Sequence, residues 1–115
     1  MIRRVVIALM LLSLTSSANV GAVLFKDYKA PKGAYQKNSF QSYLDGVRDG
    51  LIALTVEQIR QGKQPLFCIP MNPAITFYQT EDIMLRKAKE VGDADYFEIA
   101  LLLVHGLEDT FPCQH

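Results

Sequence analysis

The chain holds only two cysteines, 45 positions apart, in two stretches that resemble each other: PLFCIP at 65–70 and TFPCQH at 110–115. In each, an aromatic residue stands one or two positions before the cysteine and a proline lies within two residues of it. If these thiols are oxidised, they constrain the fold more than any other pair of residues in the sequence. The compartment decides whether they are.

The N-terminus speaks to the compartment. Met1-Ile2-Arg3-Arg4 is a short basic start, Val5–Leu14 is a run dominated by apolar residues, and Thr15-Ser16-Ser17-Ala18 is small and polar. Basic, apolar, small, in that order, is the pattern of a secretory signal peptide. Ser16-Ser17-Ala18 and Val20-Gly21-Ala22 both place small residues where a signal peptidase reads. The apolar run is about half the ~20 residues that a membrane span needs. No later stretch is long and apolar enough to span. The expected organisation is a signal peptide over residues 1–18 with cleavage as late as 22, an extended and poorly ordered arm over 19–37, and a helical domain over 38–115.

In an oxidising compartment two lone cysteines pair. Closing a loop of this length contributes on the order of 4 kcal/mol in the chain-entropy model. For one small domain that is a large share of the net stability. A redox-active pair would sit as C-x-x-C, close in sequence. His105 and His115 are the only imidazoles, and nothing has metal-ligand spacing. The reading is therefore a structural Cys68–Cys113 bridge, with no metal and no cofactor.

Charge narrows the partners. Loss of Arg3 and Arg4 with the signal leaves ten basic against twelve acidic residues. Lys26, Lys29, Lys32 and Lys37 make the arm basic, while residues from 38 onward carry six basic and eleven acidic side chains. This balance argues against nucleic acid and suits a surface that meets a positively charged protein.

Periodicity predicts helices. Phe40, Tyr43, Leu44, Val47, Leu51, Leu54 and Ile59 recur at helical spacing. Ser39 is the expected N-cap, and Gly62 with Pro65 is the stop. Gly46 and Gly50 lie inside this helix, each at a cost of about 1 kcal/mol against alanine. Close approach of another helix explains them; a ligand approaching the bare backbone is the alternative. A loop broken by Pro65, Pro70 and Pro73 carries Cys68. The second helix opens on Thr76 and Gln79, spaced as a capping box, buries Ile83, Met84, Ala88 and Val91, and closes at Gly92. The third is expected to be capped by Asp95 with Glu98. Tyr96, Ile99, Leu103, Leu107 and Phe111 form its spine, Ala100, Leu101, Leu102 and Val104 widen its apolar girth, and Pro112 ends it. Such girth marks a helix central to the domain or covered by a second copy of the chain. The expected fold class is all-α, a compact bundle of three to four helices stapled by one disulfide.

Catalytic signatures are missing. Ser39 and Ser42 lack a G-x-S-x-G context, and there is no phosphate-binding glycine loop and no H-E-x-x-H. Glu81-Asp82 and Glu108-Asp109 are adjacent carboxylates near helix ends, and spacing alone does not make them an acid and a base. The chain reads as a binding protein rather than an enzyme.

Four stretches, YLDGVRDGLIAL, QGKQPLFCIP, ITFYQTEDIMLRKAKE and ALLLVHGLEDTFPC, together resemble the Rap/Tai family of immunity proteins. The resemblance runs from about Ser39 to Cys113. Its most specific pieces are Gly62-x-x-x-Pro65-Leu66-Phe67-Cys68-x-Pro70 and the terminal Phe111-Pro112-Cys113. Many relatives carry further cysteines near the first helix, where this chain has Phe40 and Ser42. The resemblance implies an all-α fold with the Cys68–Cys113 bridge, often assembled as a homodimer. It implies a periplasmic immunity protein that binds and sterically blocks a type VI secretion peptidoglycan amidase, a cysteine hydrolase of the NlpC/P60-like kind. On this reading Glu81, Asp82, Glu108 and Asp109 are the expected effector contacts. The competing reading on the same scaffold is a small periplasmic holdase that exposes apolar surface conditionally.

Overall fold

A computed structural model describes residues 22–70 and 74–114. The signal peptide expected over residues 1–18 lies outside the described residues. Four helices are present among them: α1 Phe25–Tyr28, α2 Gly33–Arg60, α3 Phe77–Val91 and α4 Ile99–Thr110. No strand joins them; a single antiparallel bridge pairs Leu24 with Glu98. The fold is all-α, as the periodicity requires.

α3 and α4 pack against each other along their lengths, and α2 contacts both. The core between them holds Leu44 from α2, Ile83, Met84 and Ala88 from α3, and Ile99, Leu102, Leu103 and Leu107 from α4. Phe67, fully buried in the loop after α2, completes it. The helix spacing of α4 thus delivers Ile99, Leu103 and Leu107 inward as expected, while Tyr96 stays in the preceding loop, exposed.

Helix starts follow local chemistry. At α3, the Thr76 hydroxyl accepts the Gln79 N–H and the Gln79 side chain accepts the Thr76 N–H, a complete capping box. Gly92 closes the helix at φ +90°, a conformation that disfavours any side chain. α4 departs from expectation. Its N-cap is Glu98, with no side-chain cap. Asp95 is committed elsewhere: its carboxylate lies 2.5 Å from Lys29 Nζ and its carbonyl accepts the Lys26 N–H.

α2 is longer than its apolar spacing suggests. It begins at Gly33 rather than near Ser39 and runs 28 residues. The Lys32 N–H donates to the Gln36 side chain at 2.6 Å, which satisfies a terminal donor seven residues ahead of the expected cap. Residues 22–37, expected as a poorly ordered arm, therefore divide between the first turn of α2 and a bonded segment. In that segment Phe25 and Tyr28, three apart on α1, pack with Val23 against the core.

Gly46 and Gly50 are exposed, and among the described residues nothing lies within 4 Å of a Cβ built on either. Among the described residues the close approach of one helix to another falls at Gly106, where a Cβ would lie 2.7 Å from Ile83 Cγ2.

Candidate functional site

Cys68 and Cys113 form the disulfide, with their Cα atoms 4.9 Å apart. The Cys68 N–H donates to the Phe111 carbonyl at 2.8 Å, so the tail after α4 and the loop after α2 are joined by a backbone bond beside the covalent one. With Phe67 buried next to it, the staple fixes one end of the α3–α4 pair.

The four carboxylates singled out from the sequence do not gather in one place. Glu81 faces inward and accepts the Tyr28 hydroxyl. Partial burial, then this bond, raise the Tyr28 phenol well above its ordinary range. Glu108 sits at half exposure with its Oε1 3.8 Å from His105 Nδ1. Asp82 and Asp109 alone flank a common feature. Asp82 pairs with Arg86 at 2.9 Å one turn on, and Asp109 pairs with Lys87 at 2.7 Å across the helices. The bond to Asp109 raises the Lys87 ammonium, which also approaches Glu90 at 3.4 Å.

Between these pairs runs an open groove of two adjoining depressions, about 380 and 280 Å³, that share Ile83, Arg86 and Thr110. Its floor is the Ile83–Gly106 contact, and its walls are alternating charges from α3 and the end of α4. Such a surface can dock a protein edge by charge pairing. Among the described residues no group of three or more His, Cys, Asp or Glu side chains could hold a metal ion.

Sequence reasoning missed the exposed apolar side chains. Leu54, Val56 and Ile59 on the last turns of α2, Tyr78 at the start of α3, Phe97 in the loop before α4 and Leu101 on the outer side of α4 all face solvent. The signal for α2 was legible: Leu54 and Ile59 belong to the expected apolar stripe, yet the α3–α4 pair ends before reaching them. For Tyr78, which is 79% exposed, no sequence signal exists.

These features sit within a family. The profile described as Rap1a immunity proteins matches residues 11–113, and the chain belongs to that family. Its class is an immunity protein against a secreted effector. Searches of curated proteins and of solved structures return no significant match. The family match extends N-terminally beyond Ser39, so it takes in the segment 22–32 that the motifs alone did not reach. No helix among the described residues is long and apolar enough to cross a membrane. That and the formed disulfide are compatible with an exported protein.

Proposed function

We propose that this chain is a periplasmic immunity protein that binds a type VI secretion peptidoglycan amidase, an NlpC/P60-like cysteine hydrolase, and occludes its catalytic cleft. The family match over residues 11–113 carries the reading. The signal-like N-terminus and the disulfide support the compartment. Occlusion asks of the inhibitor a rigid body and a complementary surface, and no chemistry of its own. The staple at Cys68–Cys113 and the Gly106 contact supply rigidity. The groove edged by Asp82 and Asp109 supplies a charged surface on which a partner with basic residues around its cleft can seat.

The protein acts as a homodimer in this reading. Two glycines one turn apart on a long helix carry a helix-propensity penalty that no contact among the described residues offsets. A second copy approaching α2 along Gly46, Gly50 and the exposed Leu54 offsets it.

The test is a pull-down of the mature protein against the amidase encoded nearest its gene, with rescue from amidase toxicity by co-expression in the periplasm. Tight binding with rescue supports the reading. Absence of both, with the helical fold and bridge intact, rejects it. Sedimentation of the mature protein, alone and as G46L G50L, tests the dimer. A monomeric wild type, or a double variant that still dimerises, rejects that part.

A further inference from the structure

The outward face of α2 carries a seam whose character changes along the helix. Leu44 and Thr55 are buried on the inner side, toward α3 and α4. At about 100° per residue, Asp49, Ala53, Val56 and Arg60 fall near one line on the opposite side, and all four are exposed. Leu54, also exposed, edges that line. Positions alternately four and three apart are the seam that a second helix covers.

Charge runs along this seam in one sense. Its first half holds Asp45, Arg48 and Asp49, two carboxylates against one guanidinium, with Arg48 2.7 Å from Asp45 and 3.0 Å from Asp49. Arg48 is largely buried, while Asp49 points outward. The far end holds Glu57, Arg60 and Lys63, one carboxylate against two cations. Arg60 Nε donates to Glu57 at 2.8 Å, and Lys63, just past the helix, makes no ion pair among the described residues. The first half is therefore net acidic and the far end net basic, with Ala53, Leu54 and Val56 between them.

We infer that a second copy of the chain lies antiparallel on this face, with the two-fold axis at the level of Leu54 and Thr55, so that Asp49 of each copy meets Arg60 and Lys63 of the other and Ala53 meets Val56. This rests on the homodimer reading above and adds its orientation, register and ion pairs. A two-fold contact repeats every pairing, so the face must complement itself. In a parallel pair Asp49 would meet Asp49 and Arg60 would meet Arg60, and like charges set against each other across an interface cost affinity. Turned antiparallel, the acidic half of each copy covers the basic end of the other, twice. The small Ala53 leaves room for Val56, and Arg60 lies between its own Glu57 and the Asp49 of the second copy. The seam uses only α2 and the residues just after it, so the groove between α3 and α4 stays open for an effector.

Two measurements on the mature protein test orientation and register. A nitroxide on K37C, at the exposed start of α2, reports orientation by pulsed electron resonance. At 1.5 Å per residue the two labels are expected about 50 Å apart in the antiparallel dimer, against roughly 10–20 Å in a parallel one, where the helices lie side by side. Sedimentation equilibrium of D49R, R60D and D49R R60D reports register. Each single variant is expected to weaken the dimer about tenfold or more, and the double variant to return to within about threefold of wild type. Positions 49 and 60 are about 16 Å apart along one helix, so the recovery cannot arise within a copy. R60D also strips Glu57 of its partner, a loss that the double variant does not repair. A short label distance overturns the inference. So do single variants that dimerise as wild type does, or a double variant as weak as the singles. A wild type that stays monomeric removes the homodimer reading and this inference together, whereas a dimeric wild type with any of the other adverse results removes the antiparallel seam alone. None of these outcomes depends on which effector the protein binds.

Discussion

Gly106 on α4 lies against Ile83 on α3, so that a Cβ at 106 would fall 2.7 Å from Ile83 Cγ2 and 3.0 Å from the Ile83 carbonyl oxygen. Cγ2 is attached to a β-branched carbon whose rotamer is nearly fixed in a helix. The carbonyl belongs to the backbone of α3. Neither gives way without moving the helix. Gly46 is the opposite case, exposed and with open space around it.

Two glycine substitutions are therefore expected to change stability in opposite directions. G106A strains the contact by about 1–3 kcal/mol, more than the roughly 1 kcal/mol that alanine returns in helix propensity. G46A has only the favourable term and stabilises the monomer by about 0.5–1 kcal/mol. Urea unfolding of the mature protein at a concentration that keeps it monomeric measures both. Equal signs for the two would refute the assignment of Gly106 as the packing glycine.

Loss of the bridge is expected to be the largest single effect. C113S opens a loop of 45 residues. At about 4 kcal/mol in the chain-entropy model, the melting temperature of a domain this small falls by roughly 15–30 °C. Calorimetry reads the shift. Thiol titration of denatured, unreduced wild type is expected to find no free cysteine, and two free thiols would contradict it.

The sequence announced the bridge because the chain offers only two cysteines, and it announced the α3 capping box and the inward Ile83, Met84, Ala88, Ile99, Leu103 and Leu107 because these rest on local spacing; Val91, expected inward, is exposed at the last turn of α3. It misled where local chemistry was overridden by contacts distant in sequence. Thr76/Gln79 and Asp95/Glu98 have the same spacing, yet only the first pair caps a helix. Asp95 is drawn away by Lys29 and Lys26, residues 66 and more positions earlier, and no local pattern encodes that. The docking of residues 23–26 along the 95–99 segment was hidden for the same reason. Phe25 and Tyr28 are too few to show a period among lysines, and their burial exists only once the 94–99 segment is in place. The carboxylates near helix ends were legible as surface charge. Which of them share a groove was not, since that depends on how α3 crosses α4.

Alkaline pH is expected to weaken the fold through Tyr28. Burial first, and then the bond to Glu81, raise its phenol in the folded protein above the unfolded value near 10. A raised folded value favours the protonated form. The contribution is fully present below pH 10 and is lost as pH rises above it, when the unfolded chain ionises and the folded one does not. Y28F is expected to lose about 1 kcal/mol at pH 7 with the bond to Glu81 and to show a flatter decline between pH 9 and 11. Denaturant midpoints across that range test the sign. A wild-type decline no steeper than that of Y28F would exclude the mechanism.

The effector contact is expected to divide the four carboxylates. Asp82 and Asp109 edge the same groove, Glu81 is turned toward Tyr28, and Glu108 lies beside His105. Charge reversal in D82K D109K removes the partner of Arg86, leaves Lys87 only Glu90, and makes the groove basic, which repels a basic rim on the amidase. A loss of about tenfold or more in affinity is expected, with a reduced association rate, since steering is the part that charge controls. E108K is expected to leave binding within about twofold. E81Q is expected to weaken the Tyr28 contact, with an affinity close to wild type. Surface plasmon resonance against the cognate amidase at two salt concentrations separates these. If D82K D109K binds as wild type does while E108K does not, the contact surface lies on the outer side of α4, and the groove is a structural seam between two helices.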